Sequence, residues 1–302
     1  MRYIHECPDE TNPLFNAYIM RHGKDRDFRI WVIFLYSTCY CLGTALYLAS
    51  KLDYRTLTKS ELNEFWRDNK SKLLFQSDRR YAKNMDWFVP MVSEFMSRCK
   101  RHPYKYIQSF VRDTPEETYK ALYEEIDSWR YYGRFSIILF LRVLVKLTDI
   151  RVDYDEYDWK NGATTVSGIW NAMYMDDKAD QFDATNKLMP GDLDTLDEAL
   201  KKLKRQMAGR YPEDNHTILS ITSDLCSYRK LYKGTRYVGY YVDRQQEEIL
   251  TLQERFPGDA LWEDLWQLRK AVLPNQYLGE LNGWLGIRKD LCKSWIDRGA
   301  FS

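Results

Sequence analysis

Apolar residues recur at helical spacing along most of the chain, and strict alternation of apolar and polar residues is nearly absent. Start signals accompany this pattern: Thr58 lies three residues before Glu61, which makes a capping box, and Thr114 directly precedes Pro115. The pattern predicts an all-α fold. The expected helices cover residues 13–21, 30–50, 59–75, 87–99, a short segment after 103, 115–129, 135–147, a short segment within 162–177, 192–209, 219–231, 242–256, 258–273 and 286–298.

The two most apolar segments are residues 30–50 and 135–147. The first has 21 residues without a charge, close to the length of a membrane span, but its serine, threonine and tyrosine side chains favour a buried helix. The second is interrupted by Arg142, for which we expect a carboxylate partner in the core. We therefore predict a single helical domain around this central helix pair, with two lobes at about 1–150 and 151–302 as an open possibility.

Composition restricts the kinds of ligand. Lys and Arg total 45 against 44 Asp and Glu, so a phosphate site would have to be local. The six cysteines show neither a CxxC pair nor zinc spacing, and the first ten residues lack a secretory apolar region, which predicts reduced thiols in an intracellular protein. The acidic loop 150–161 lacks the glycine and final glutamate of a calcium loop, so we expect a solvated loop there and no metal site. We also predict no cofactor.

Basic and aromatic residues alternate between 228 and 244, with Arg229, Lys230, Lys233, Arg236 and Arg244 among five tyrosines. Guanidinium and ammonium groups bind phosphate, while tyrosine rings stack on unpaired bases. Similar mixtures occur at 76–88 and 130–136. The pattern is typical of a nucleic-acid site, although a packing helix with a solvated basic face would show the same residues.

Four passages together resemble a viral family, the phage α-glutamyl/putrescinyl thymine pyrophosphorylases or amino acid:DNA transferases. They are the aromatic helix from Trp31 through Leu48, DRRYAKNMDWF at 78–88, WRYYGRFS at 129–136 and DLCSYRK at 224–230. The resemblance implies a helical fold related to DNA glycosylases. The terminal sequence LPNQYLGELNGWLG departs from that kinship, because it contains no glycosylase hairpin such as LPGVG.

The resemblance also implies an activity in thymine hypermodification. An amine of a free amino acid or polyamine displaces pyrophosphate from pyrophosphorylated 5-hydroxymethyluracil in double-stranded phage DNA. The expected location is the cytoplasm of the infected bacterial host, without a membrane.

This chemistry calls for three kinds of residue. Cations must bind the pyrophosphate leaving group, a carboxylate or histidine must accept the proton of the amine, and rings must enclose the extruded base. The cation candidates are Arg79, Arg80, Lys83, Arg134, Lys230 and Lys233. Asp224 and Asp86, followed by His22, are the candidate bases; Arg236 or Arg21 would bind an amino-acid carboxylate; and Tyr132, Tyr237 and Trp87 would form the pocket walls. We expect the cations near 80, 134 and 230 to meet at one pocket.

Each of these residues has an ordinary structural alternative in ion pairs that hold helices together. Two other functions also remain open. One is a glycosylase-like enzyme that flips a base and hydrolyses the glycosidic bond. The other is a non-catalytic helical DNA-binding or virion protein, which the near-neutral charge disfavours.

Overall fold

The computed structural model describes residues 13–22, 25–75, 85–154, 157–159, 162–210, 216–234, 240–273 and 278. In these residues the chain forms α-helices and short 3₁₀ turns without a β-strand, which confirms the predicted all-α fold. The α-helices are α1 Pro13–His22, α2 Arg26–Cys39, α3 Leu42–Lys51, α4 Lys59–Asn69, α5 Phe88–Cys99, α6 Pro103–Gln108, α7 Pro115–Asp127, α8 Arg134–Leu147, α9 Ala163–Ala172, α10 Asp176–Thr185, α11 Asp192–Arg210, α12 Ile218–Tyr232, α13 Tyr240–Arg255 and α14 Ala260–Val272.

The chain divides into two compact units. The larger unit comprises residues 11–152 and 243–279, and the smaller unit comprises residues 1–10, 153–242 and 280–302. The chain thus leaves the larger unit after Val152 and returns to it within α13. The single-domain assignment of the sequence stays a prediction.

Local signals placed most helices correctly. Thr58 accepts a hydrogen bond from the Glu61 N–H while the Glu61 carboxylate accepts one from the Thr58 N–H, so the predicted capping box is present. Thr114 caps α7 in the predicted way. Helix α10 was not predicted, because its only buried apolar side chains are Ala179 and Phe182. The helix predicted at 286–298 lies outside the described residues.

The prediction of one helix over residues 30–50 is wrong. Tyr40 adopts a left-handed conformation with φ 49°, which ends α2, and α3 begins two residues later. Cys41 caps α3 without a side-chain hydrogen bond; instead the buried carboxylate of Glu248 accepts the Leu42 N–H at 3.1 Å. A carboxylate at this end also suits the helix dipole. None of the helices in the described part of the chain has the length and apolarity that a bilayer crossing requires.

The core of the larger unit is aromatic. Helix α2 packs against α8, so the predicted central contact is present between the first half of the apolar segment and the second segment. Phe34 of α2 stacks on Phe95 of α5 with ring centres 4.0 Å apart, and Trp31 and Trp129 lie beside this pair. Arg142 is buried on α8 as expected, while its carboxylate partner stays a prediction.

The smaller unit depends on one close helix contact. Helix α12 packs against α9 at Gly168, where a Cβ atom would lie 2.3 Å from the carbonyl oxygen of Leu225. A side chain at this position would collide with backbone, which cannot rotate away. Only glycine therefore allows the observed approach of the two helices.

The acidic loop is partly buried, contrary to the prediction of a solvated loop. Asp153 is 4% exposed. Its carboxylate accepts hydrogen bonds from Lys204 at 2.6 Å and from the Leu219 N–H at 3.2 Å. The aspartate thus ties the start of α12 to α11, and its charge is balanced by the lysine and the positive helix end.

The described cysteines are Cys39, Cys41, Cys99 and Cys226, and all four are reduced thiols. Burial, followed by the nearby charge of Glu248, raises the pKa of the Cys41 thiol well above its usual value. Cys41 therefore remains a neutral packing residue at ordinary pH.

Candidate functional site

Helix α12 carries three of the predicted site residues, Asp224, Lys230 and, at its C-terminal end, Lys233. Its N-terminus is fixed twice, by Asp153 and by the Thr217 hydroxyl, which accepts the Ser220 N–H at 3.0 Å. Apolar residues including Leu219 and Leu225 are buried. The fixed start and the buried face set the orientation of every side chain along the helix.

Asp224 and Lys230 are both half-buried. Because they are six positions apart on one helix, they point about 120° away from each other around its axis. The helix itself therefore does not place the candidate base beside the candidate phosphate ligand on one face.

The C-terminal end of α12 is bound to a carboxylate face of α10. Asp176, Asp180 and Asp183 follow one another at four and three residues, so they share one side of α10. Lys233 pairs with Asp180 at 2.5 Å, and Arg229 pairs with Asp183 at 2.6 Å. These contacts cross-link the two helices.

The same carboxylate face also engages neutral groups. The Tyr232 hydroxyl donates to Asp176 at 2.8 Å, as does the Asn171 side-chain amide at 2.8 Å. The Tyr232 hydroxyl, with the Asn171 amide as the smaller contribution, lowers the pKa of the Asp176 carboxyl below its usual 3.8.

These pairs change the interpretation of the basic stretch at 228–244. Arg229, Lys233 and Arg244, the last through Glu247 at 2.9 Å, are each neutralised by a carboxylate. These three cations thus have structural roles in ion pairs and do not form a solvated basic face. Binding of phosphate by Lys233 would require exchange of Asp180 for the ligand.

In the larger unit, the loop between α7 and α8 contains two adjacent tyrosines whose side chains point in different directions. Tyr132 is 4% exposed, its ring stacks on Phe34, and its hydroxyl is hydrogen bonded to Ser37. Burial raises the pKa of that hydroxyl far above its usual range. The structure therefore shows a packing role for Tyr132, and its part in a pocket wall stays a prediction.

Tyr131 points the other way. It is 38% exposed, and its ring stacks on Trp87 with centres 4.9 Å apart and planes inclined by 5°. Trp87, a predicted pocket wall, is itself 37% exposed. The sequence YYG at 131–133 offers two adjacent tyrosines, and no local signal tells which of them faces solvent. The sequence analysis named Tyr132, whereas the exposed ring of the pair is that of Tyr131.

Arg134 is the first residue of α8 and is half-buried. The preceding cap residue, Gly133, supplies no side-chain hydrogen bond, and the space around its Cα is open. An arginine at the uncapped, positive end of a 14-residue helix is a suitable position for an anion.

The remaining described candidates have ionic partners. Asp86 is exposed and pairs with Lys70. Arg21 and His22 both bind Asp264, at 2.5 and 2.6 Å, so the predicted amino-acid ligand and reserve base stabilise the contact of α1 with α14. These observations favour structural roles for Arg21 and His22.

Several predicted residues lie outside the described part of the chain. They are Arg79, Arg80, Lys83, Arg236 and Tyr237. Arg134 belongs to the larger unit and Lys230 to the smaller unit. The meeting of cations near 80, 134 and 230 at one pocket therefore stays a prediction. The described residues contain no group of three His, Cys, Asp or Glu side chains placed to hold a metal ion.

Comparison with known proteins identifies the family. A family model described as amino acid:DNA transferase matches residues 9–237. This range includes all four passages on which the resemblance depends, and it covers more than half of the 302 residues. Searches among curated proteins and among solved structures found no match. The chain belongs to the amino acid:DNA transferase family and is a transferase enzyme acting with an amino acid on DNA.

Proposed function

We propose that the protein attaches an amino acid, or a polyamine, to pyrophosphorylated 5-hydroxymethyluracil in double-stranded phage DNA, in the cytoplasm of the infected host. The observation that carries this proposal is the family match over residues 9–237 together with the four passages it contains. In the reaction the amine nitrogen attacks the methylene carbon attached to C5 of the base. The new carbon–nitrogen bond forms as the carbon–oxygen bond breaks, and pyrophosphate leaves with the bonding electrons.

The leaving group sets the first requirement. Pyrophosphate gains charge as the carbon–oxygen bond breaks, so cations aimed at its oxygens stabilise the transition state. Arg134 is the first candidate in the described residues, because it lies at the uncapped N-terminus of α8. Lys230, half-buried on α12, is the second. Arg79, Arg80 and Lys83 remain candidates from the sequence.

The incoming amine sets the second requirement. It must lose a proton to attack, so a carboxylate must be within hydrogen-bond reach of it. Asp224 is our first candidate, since it is half-buried, and partial burial strengthens its interaction with an ammonium group. Asp86 comes second because it is exposed and already paired with Lys70. An amino-acid substrate also brings its own carboxylate, for which Arg236 is the remaining candidate.

Mass spectrometry of nucleosides tests the reaction directly. The protein is incubated with DNA bearing pyrophosphorylated hydroxymethyluracil and a pool of amino acids and putrescine, and the DNA is then digested. A nucleoside carrying the added amine supports transfer. Abasic sites would favour the glycosylase alternative, and bound but unchanged DNA would favour a passive binding protein.

Variants connect the product to residues. We expect Arg79→Ala, Arg134→Ala and Lys230→Ala each to abolish most product while leaving the helical circular-dichroism signal intact. The matched control is Lys202→Ala, since Lys202 is an exposed lysine on α11 of the same unit as Lys230. Equal product from Lys230→Ala and Lys202→Ala would remove Lys230 from the site. Loss of folding in a variant would assign that residue to structure.

A further inference from the structure

Trp87 and Tyr131 form an exposed aromatic ledge in the larger unit. Their rings are parallel and 4.9 Å apart, and each side chain keeps more than a third of its surface exposed. The guanidinium of Arg130 lies 4.9 Å from the centre of the Tyr131 ring. Burial of a large aromatic side chain is favourable, and most rings of this unit are buried in its core. Two neighbouring rings that stay exposed at the surface therefore indicate a contact surface.

The ledge is held rigidly from the inside of the protein. Glu94 accepts the Arg130 N–H at 2.8 Å, and Arg98 donates to the Ser128 carbonyl at 3.2 Å. On either side of Arg130 and Tyr131, the rings of Trp129 and Tyr132 are buried in the core. Tyr131 itself has φ 62°, a conformation that costs about 1 kcal/mol for a residue other than glycine. The loop is thus fixed in the conformation that presents Tyr131 to solvent.

A cleft lies next to the ledge in the sequence, since its lining includes Val89, two residues after Trp87, and Arg130, which directly precedes Tyr131. Its volume is about 590 Å³, and it is lined by Lys59, Val89, Pro90, Ser93, Glu94 and Arg130. Among the described residues, no carboxylate lies within ion-pair distance of Lys59 or of Arg130. Glu94 also lines the cleft; it binds Arg98 at 2.8 Å, and Arg98 is shared with Glu125 at 2.7 Å. The charged side chains of the lining are therefore two cations and one carboxylate, which leaves the cleft with a net positive charge next to an aromatic surface.

We propose that the ledge and the cleft together bind one unpaired nucleotide of the DNA substrate. Its base stacks on the ledge, and its phosphate lies between Lys59 and Arg130. A ring surface accepts any base by stacking, and a cationic cleft accepts a phosphodiester, so the two features match one nucleotide. A paired base shows no open face, which selects a nucleotide outside the helical stack. The inference rests on the DNA substrate of the proposed function and is independent of the leaving group.

Fluorescence anisotropy with two labelled duplexes tests the stacking. One duplex contains a single unpaired thymidine bulge, and the other has the same sequence without the bulge. Wild-type protein should bind the bulged duplex more tightly. Trp87→Leu should weaken binding of the bulged duplex roughly 5- to 150-fold, the range for loss of one stacked base, and leave the plain duplex unchanged. Trp87→Tyr, which retains a ring, should preserve most of the preference.

Salt titration of the bulged duplex tests the phosphate contact separately. Lys59→Gln and Arg130→Gln should each reduce the slope of log Kd against log salt by about 0.7 to 0.9, the effect of one lost phosphate contact. Lys105→Gln is the matched control: Lys105 is an exposed lysine of the same unit that does not line the cleft. Its slope should equal that of the wild type.

Two results would overturn the inference. One is equal affinity of wild type and folded Trp87→Leu for the bulged duplex, which would leave the ledge to another kind of partner. The other is a salt slope equal to that of the wild type in both Lys59→Gln and Arg130→Gln. These two variants test the inference even if Trp87→Leu does not fold. These assays need neither amine nor pyrophosphate. A failed transfer reaction with intact bulge binding would therefore refute only the proposed chemistry.

Discussion

The close contact at Gly168 predicts that substitution by alanine destabilises the protein at this glycine, whereas the same substitution at Gly209 stabilises it. In Gly168→Ala the new Cβ would lie 2.3 Å from the Leu225 carbonyl oxygen and 2.9 Å from its carbon. An ordinary contact needs about 3.4 Å or more, so α9 and α12 would have to separate by about 1 Å. Such overpacking costs about 1–3 kcal/mol, and contact with rigid backbone places this case at the upper end.

The helix propensity of alanine offsets part of that cost. Alanine is favoured over glycine by about 1 kcal/mol in a helix interior, so the net loss for Gly168→Ala is about 2 kcal/mol. A loss of this size lowers the melting temperature by roughly 3 °C, because the unfolding entropy of a chain of 302 residues is about 0.6 kcal/mol/K. Gly209→Ala is the control. Gly209 lies on α11 of the same unit, and a Cβ there would meet no atom within 4 Å, so this variant should gain up to about 1 kcal/mol.

Thermal and urea unfolding of the two variants, compared with the wild type, measures the difference. The reasoning would be refuted by a Gly168→Ala protein as stable as Gly209→Ala. A displaced α12 would also move Asp224 and Lys230, since both are on that helix. We therefore expect Gly168→Ala to lower the rate of amine transfer even below its melting temperature, whereas Gly209→Ala should not.

Three further predictions follow from single contacts. Glu248→Ala should destabilise the protein by about 1–3 kcal/mol in urea unfolding, because the Leu42 N–H loses its buried acceptor. The control is Glu247→Ala: Glu247 is the exposed neighbour, and its substitution should change stability by less than about 0.5 kcal/mol. Thr58→Ala should cost about 1 kcal/mol through loss of the capping box, and Thr58→Ser should restore most of it. Tyr232→Phe should be less stable than the wild type at neutral pH. The Tyr232 hydrogen bond depresses the pKa of the Asp176 carboxyl, and this stabilises the folded protein at pH values above the pKa of the same carboxyl in the unfolded chain. That difference should disappear as the pH falls through the folded pKa of Asp176, below 3.8; a constant difference across the acid range would contradict the contact.

The sequence selected candidate passages, but it did not determine the orientation of the side chains within them. The segment 129–136 was singled out from its basic and aromatic residues, and it does present an exposed ring beside arginines. Which ring is exposed could not be deduced, because Tyr131 and Tyr132 are chemically identical and differ only in backbone conformation. Likewise, the basic stretch around Lys230 was recognised, but the sequence did not reveal that Asp180 and Asp183 neutralise two of its cations.

The sequence by itself determined the helical fold and most helix starts. Those features depend on apolar spacing and on caps such as Thr58 and Thr114, in which the interacting residues are three or four positions apart. The tertiary structure alone decided the break after Tyr40, where the acceptor for the Leu42 N–H is Glu248, 206 positions away in the chain. It also decided which cations are paired and which remain exposed to a ligand. Contacts between distant positions leave no periodic trace in a sequence, because they exist only once the helices have packed.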